Sequence, residues 1–133
     1  MNFAPSPSGN GFSKETLTRF ASSERQRFEE NLRGLVEIPS ISNDPARADD
    51  VRRVAESAAD LIRSLGGEAS LIPTGGHPIV HGLFRKNPAF PTVTVYNHLD
   101  VQPADRADGW RTDPFRFTVE GDRYLGRGTT DDK

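Results

Sequence analysis

Three residues set the chemistry this chain could carry: His98, Asp100 and Asp131. His98 sits in Asn97-His98-Leu99-Asp100, at the carboxyl end of the apolar run Thr92-Val93-Thr94-Val95-Tyr96. A neutral imidazole is a good metal donor, and a carboxylate two residues on can take its other ring N–H and so fix tautomer and orientation. Asp131 opens the pair Asp131-Asp132, reached through Gly126-Arg127-Gly128-Thr129-Thr130. Adjacent side chains rarely converge on one ion, so the two carboxylates are expected to divide labour. Each feature also has a plain reading. His98 alone is a satisfied core or strand-end histidine, Asp100 a loop carboxylate that ends a strand, and the aspartate pair a solvated turn.

Other chemistries lack their residues. The chain has no cysteine, which removes disulfides and thiolate metal sites and leaves His and carboxylates as the strong donors. His77 and His81 are four apart, a zinc spacing on a helix, but Pro78-Ile79-Val80 between them argues for a strand. There, at ~3.3 Å per residue, they would lie about 13 Å apart, and structural or loop roles are expected for both. Gly126-x-Gly128 lacks the third glycine and the following helix of a dinucleotide loop. Neither a Gly-x-x-x-x-Gly-Lys phosphate loop nor a Gly-x-Ser-x-Gly nucleophile elbow occurs. Seventeen Lys and Arg against nineteen Asp and Glu, net charge -2, include no basic block for phosphates, so nucleic acid and anionic membranes are poor partners and a small substrate is expected. No apolar run is long enough to span a bilayer and no secretory leader is evident, so a cytoplasmic location is expected.

The elements that must position these residues follow from periodicity. At 133 residues, 34% hydrophobic and 27% charged, the chain suits one domain or part of one. Residues 1–13, rich in Pro, Gly and Ser, read as a flexible tail. A helix is expected from Ser23, with Gln26 as its capping-box partner and Phe28, Leu32, Leu35 and Val36 on one face, ending before Pro39. Asp44-Pro45 starts a second helix, whose stripe Val51, Val54, Ala55, Ala58, Leu61, Ile62, Leu65 runs to Gly66-Gly67. Strands are expected at 69–72 and 79–84, and 92–96 reads as a central strand buried on both faces. A hairpin should join 115–119 to 123–125. Trp110 and Phe115 read as loop anchors, and Lys133 as either a charge near the site or a solvent-facing one. Helices alternating with strands predict an α/β fold, a central, largely parallel sheet flanked by helices with ligands beyond the strands' carboxyl ends.

His98-Leu99-Asp100-Val101-Gln102-Pro103 and Gly126-Arg127-Gly128-Thr129-Thr130-Asp131-Asp132-Lys133, with Trp110 and Asp113-Pro114-Phe115 between them, are far more specific together than apart. In this order they resemble the co-catalytic zinc metallopeptidases: carnosinases, bacterial dipeptidases, glutamate carboxypeptidase, aminoacylase and the acetylornithine and succinyl-diaminopimelate deacylases. The wording is most similar to the dipeptidase branch. Upstream, Glu37-Ile38-Pro39-Ser40-Ile41-Ser42 and Gly75-Gly76-His77-Pro78 extend the resemblance over roughly residues 23–133.

The resemblance implies that His98 and Asp131 are metal ligands. Asp131 would bridge two Zn2+ ions, with Mn2+ or Co2+ as alternatives, and Asp100 would join the catalytic residues as the carboxylate that orients His98. Asp132 falls where some relatives carry Met. It implies hydrolysis of the amide bond of dipeptides or short peptides by a water bridging the two ions, with deacylation of N-acyl amino acids as the alternative. Residues 14–133 would be the N-terminal portion of the catalytic domain, continuing after Lys133 with Gly. The general-base Glu, further ligands and a domain for homodimerisation would lie beyond, leaving this stretch alone inactive. The family also implies a cis Asp131–Asp132 peptide in the intact enzyme, with trans expected in a chain that ends at Lys133.

Overall fold

A computed structural model describes residues 13–133, so the expected tail lies outside the described residues except for Ser13. Among the described residues the fold has two helices and two hairpins: α1 (Lys14–Val36), α2 (Ala48–Ser64), β1 (Glu68–Ile72), β2 (Ile79–Leu83), β3 (Thr118–Glu120) and β4 (Arg123–Leu125). Short 3-10 turns occupy Pro45–Arg47 and Arg106–Asp108.

Helix α1 begins at Lys14, nine residues before the start expected at Ser23, because Ser13 supplies the cap, accepting the Thr16 N–H. Ser22 and Ser23 lie inside the helix and donate back to the carbonyls of Thr18 and Phe20. Gln26 then pairs with Glu30 one turn on instead of closing a capping box. Only the second half of α1 is held by the core, where Leu32 and Val36 pack with Phe117 and Tyr124. Upstream, Leu17 and Phe20 are exposed.

Asp44 caps the turn that leads into α2 by accepting the Ala46 N–H, and Pro45 follows it. Val51, Val54, Ala55 and Ala59 bury one face of α2, while Ile62 lies over the hairpin. A Cβ at Gly82 would come within 2.8 Å of Ile62, so the absent side chain lets the helix approach. The hairpin is antiparallel, with Leu71 opposite Val80 and Ile72 opposite Ile79. A second antiparallel hairpin pairs Val119 with Tyr124 across the Gly121 turn, as expected for this region, but its first strand runs Thr118–Glu120 where 115–119 was expected.

The expected central strand is corrected. Residues 92–96 are extended but unpaired, and Val93, Val95 and Tyr96 are 81%, 78% and 85% exposed instead of buried on both faces. The cause is the supply of neighbours: each strand among the described residues already pairs within its own hairpin, and none lies beside 92–96. The chain is therefore a mixture of helix and strand whose ladders among the described residues are antiparallel, not the largely parallel central sheet expected. No described helix is long and apolar enough to cross a membrane.

Candidate metal centre

The site grows from the turn after α1. Pro39 ends helical pairing, and residues 38–44 close a series of tight turns, with Ser40 N–H bonded to the Ile38 carbonyl and Ile41 N–H to that of Pro39. Ser40 is fully buried. Its hydroxyl donates to the Leu99 carbonyl at 2.7 Å, and its own carbonyl accepts the Val101 N–H at 3.0 Å. Two bonds on either side of Asp100 thus hold the segment carrying His98, although 92–96 before it has no partner.

The Asp131 segment is fixed by close backbone approach. Gly126 has φ 151°, and a Cβ there would stand 2.7 Å from Val36 of α1. Gly128 has φ 97°, and a Cβ there would meet the Lys133 side chain at 2.9 Å. Both glycines are needed for packing, not for cradling a phosphate. Lys133 turns inward: its Nζ donates to the carbonyls of Leu35 (2.8 Å), in the last turn of α1, and Ile38 (2.6 Å), just beyond it. Burial pushes its pKa down to about 8, opposed by the charges of Asp100 and Asp50. Of the two readings open for Lys133, the solvent-facing one is excluded. The Asp131–Asp132 peptide is cis, where trans was expected for this chain.

These two segments bring His98 Nε2 to 3.0 Å from Asp131 Oδ1 across 33 residues of sequence. On the other side of the ring, Nδ1 lies 3.0 Å from the Asp100 carbonyl and 3.6 Å from its carboxylate. Asp100 thus meets the ring through its main chain, whereas the carboxylate, the group expected to orient it, lies beyond hydrogen-bond distance. A carbonyl only accepts, so Nδ1 donates to Asp100; the Asp131 carboxylate likewise only accepts, so Nε2 donates to it here, and Nε2 is the nitrogen that would turn to a cation on giving up that proton while Nδ1 keeps its own. The Asp100 carbonyl raises the His98 pKa above the usual imidazole value against the lowering effect of burial, with Asp131 adding to the rise. The Asp100 carboxylate instead accepts a 2.6 Å hydrogen bond from Ser42 Oγ.

The donor pair fits part of a metal site. Two ligands of one tetrahedral zinc at the usual bond lengths lie roughly 3.3 Å apart, close to the 3.0 Å seen between His98 and Asp131. Asp131 is 86% exposed, so it retains a free face for a further cation or ligand. Among the described residues no group of three or more His, Asp or Glu side chains is placed to hold an ion. His77 and His81 stay apart from this pair. His77 Nε2 bonds to the Ser42 carbonyl and His81 lies in β2 opposite Ser70, as their structural reading expects. Trp110 carries the Arg127 guanidinium 5.0 Å above its ring, a loop anchor.

Sequence reasoning had not assigned roles to Ser40, Ser42 or the tether of Lys133. The serines had one usable signal, hydroxyls two apart flanking Ile41 immediately after a helix-ending proline. Lys133 had none.

Residues 94–133, which contain all three site residues, match the family described as Peptidase family M20/M25/M40. This stretch is similar to that family. Over 132 residues the chain is 36% identical to Cys-Gly metallodipeptidase dug1 of Schizosaccharomyces pombe, covering 91% of this chain and 28% of that protein. Its fold is similar to that of human carnosine dipeptidase 1, with a TM-score of 0.81, 32% identity and coverage of 88% of this chain and 27% of that one. The di-peptidase Dug1p from Saccharomyces cerevisiae gives a TM-score of 0.83 at 27% identity, covering 91% and 28%. The chain thus spans about a quarter of the length of the relatives it matches. The proteins it is similar to are named as a metallodipeptidase and dipeptidases.

Proposed function

We propose that this chain is the N-terminal portion of the catalytic domain of a dinuclear metal dipeptidase, to which it contributes His98 and Asp131 as ligands and Asp100 as the group that orients His98. The observation that carries this reading is the convergence of His98 Nε2 and Asp131 Oδ1 at 3.0 Å, with Nδ1 engaged by Asp100. Divalent ions held there, zinc by resemblance, would supply an activated water and polarise the scissile carbonyl. This chain's own residues do the holding. Asp100 keeps the proton on Nδ1, the Ser40 bonds fix residues 99–101, and Gly126 and Lys133 set the Asp131 segment against α1.

The remaining donors and a general base belong to the rest of the parent protein, and the 133 residues alone are inactive. The dipeptidase relatives favour Cys-Gly and β-Ala-His as trial substrates. In the full-length parent, His98→Ala should abolish hydrolysis and lower the bound zinc measured by elemental analysis. Asp100→Ala keeps the carbonyl that bonds Nδ1 and removes only the carboxylate 3.6 Å from it, so zinc binding and turnover should fall by about 10-fold, the lower end of losses for groups that orient a ligand. Unchanged zinc and rate in His98→Ala would remove the ligand assignment. Hydrolysis of N-acetylornithine with no cleavage of either dipeptide would move the protein to the deacylase branch.

A further inference from the structure

We propose that Ser42 is a positioning residue for the metal centre, acting through the carboxylate of Asp100. The inference rests on the reading of His98 and Asp131 as ligands. Ser42 lies 58 residues from Asp100 in sequence, and its hydroxyl has one proton to give. A carboxylate can only accept, so the 2.6 Å contact to Oδ2 spends that proton on Asp100. Charge-assisted bonds of this length are the stronger kind.

Asp100 needs such a restraint because its side chain is 47% exposed and can turn to water. With Oδ2 held by Ser42, Oδ1 stays 3.6 Å from His98 Nδ1, on the same side of the ring as the Asp100 carbonyl. Negative charge there favours the N–H on Nδ1 and leaves Nε2 directed at Asp131. Ser42 is itself braced, since His77 Nε2, from the loop before β2, donates to its carbonyl at 3.0 Å. Its neighbour Ser40 has a different task. Ser40 bonds only the main chain of 99–101 and is fully buried, whereas Ser42 is half-buried and touches the carboxylate. Removing the Ser42 hydroxyl therefore leaves the backbone of the loop in place and frees one side chain.

The test measures zinc affinity by chelator competition, and apo-protein Tm, in the full-length parent and its variants. Ser42→Ala should weaken zinc by up to about 10-fold, the lower end of losses for groups that orient a ligand, with the apo Tm unchanged. Ser42→Thr, which keeps the hydroxyl, should restore the affinity. In an Asp100→Ala background the same Ser42→Ala change should have no further effect, because its whole influence passes through that carboxylate. Zinc affinity equal to wild type in Ser42→Ala would overturn the proposal. So would a fall in apo Tm that Ser42→Thr does not repair, which marks a packing role, or an equal loss in the Asp100→Ala background. Zinc binding that His98→Ala leaves intact overturns the ligand reading itself, and Ser42 falls with it.

Discussion

Residues 79–83 and 92–96 are similar in content, short runs of β-branched and apolar residues, yet they end in different states. Residues 79–83 form β2, paired with β1 and covered by Ile62 of α2. Residues 92–96 stay extended and open to solvent. The difference lies in the distance to a partner. β1 is joined to β2 by a short turn, and α2 leads into β1 through Gly66-Gly67, so helix and hairpin assemble from neighbours in sequence. Nothing near 92–96 can do the same, and an apolar run without a neighbour has the propensity of a strand but no ladder.

The largest expected effect of this contrast is in amide hydrogen exchange. The N–H groups of residues 93–96 should exchange with an opening free energy near zero. Those of Leu71 and Val80 should approach the global stability of the α2–hairpin unit, several kcal/mol. Protection of 93–96 equal to that of β2 in this 133-residue chain would show that the run has found a partner, and the contrast would disappear.

The same division explains what could be read from the sequence. The start of the second helix at Asp44-Pro45, the strands near 69–72 and 79–84 and the hairpin before residue 125 depend on residues within about twenty positions, and they form near where the pattern puts them, although the first two strands pair with each other as a hairpin that was not expected. The expected first helix began late, at Ser23, because a serine can cap a helix or fold its hydroxyl back inside one, and only the presence of Ser13 upstream decides between them. His98, Asp100 and Asp131 were legible as a set because residue type and order carry the chemistry. The bonds that hold them were not, since Ser40, Ser42 and Lys133 reach across 58 to 98 residues and leave no periodic trace.

A smaller change tests whether long-range packing holds the Asp131 segment as firmly as local packing holds α2. Gly126→Ala should destabilise the chain by about 2–4 kcal/mol, combining a left-handed backbone with a methyl driven against the fully buried Val36. Urea unfolding measures it through the midpoint, with the slope unchanged. Wild-type stability would mean that the Asp131 segment can lift off α1 without cost.

The smallest expected effect is at Lys133, the one tether between the Asp131 segment and α1 that depends on charge. Lys133→Met keeps most of the stem's apolar contact and removes two hydrogen bonds of an ammonium, each normally worth about 1.5–3 kcal/mol. Two facts offset that loss. The carbonyls it leaves already have other donors, Ile38 N–H on Leu35 and Ser40 N–H on Ile38, so neither becomes an orphan. The ammonium is also held at an unfavourable place, as its lowered pKa of about 8 shows, and a neutral side chain escapes that desolvation. The net change in unfolding free energy should therefore stay within about 1 kcal/mol. The position of Asp131 should suffer more than the stability does, because nothing else in the last three residues reaches α1 by a side-chain hydrogen bond. NMR contacts between the His98 ring and Asp131 should weaken in Lys133→Met while the melting curve barely moves. A loss above about 3 kcal/mol would make Lys133 a support of the whole fold, and the distinction between a stable local unit and a lightly tethered ligand segment would fail.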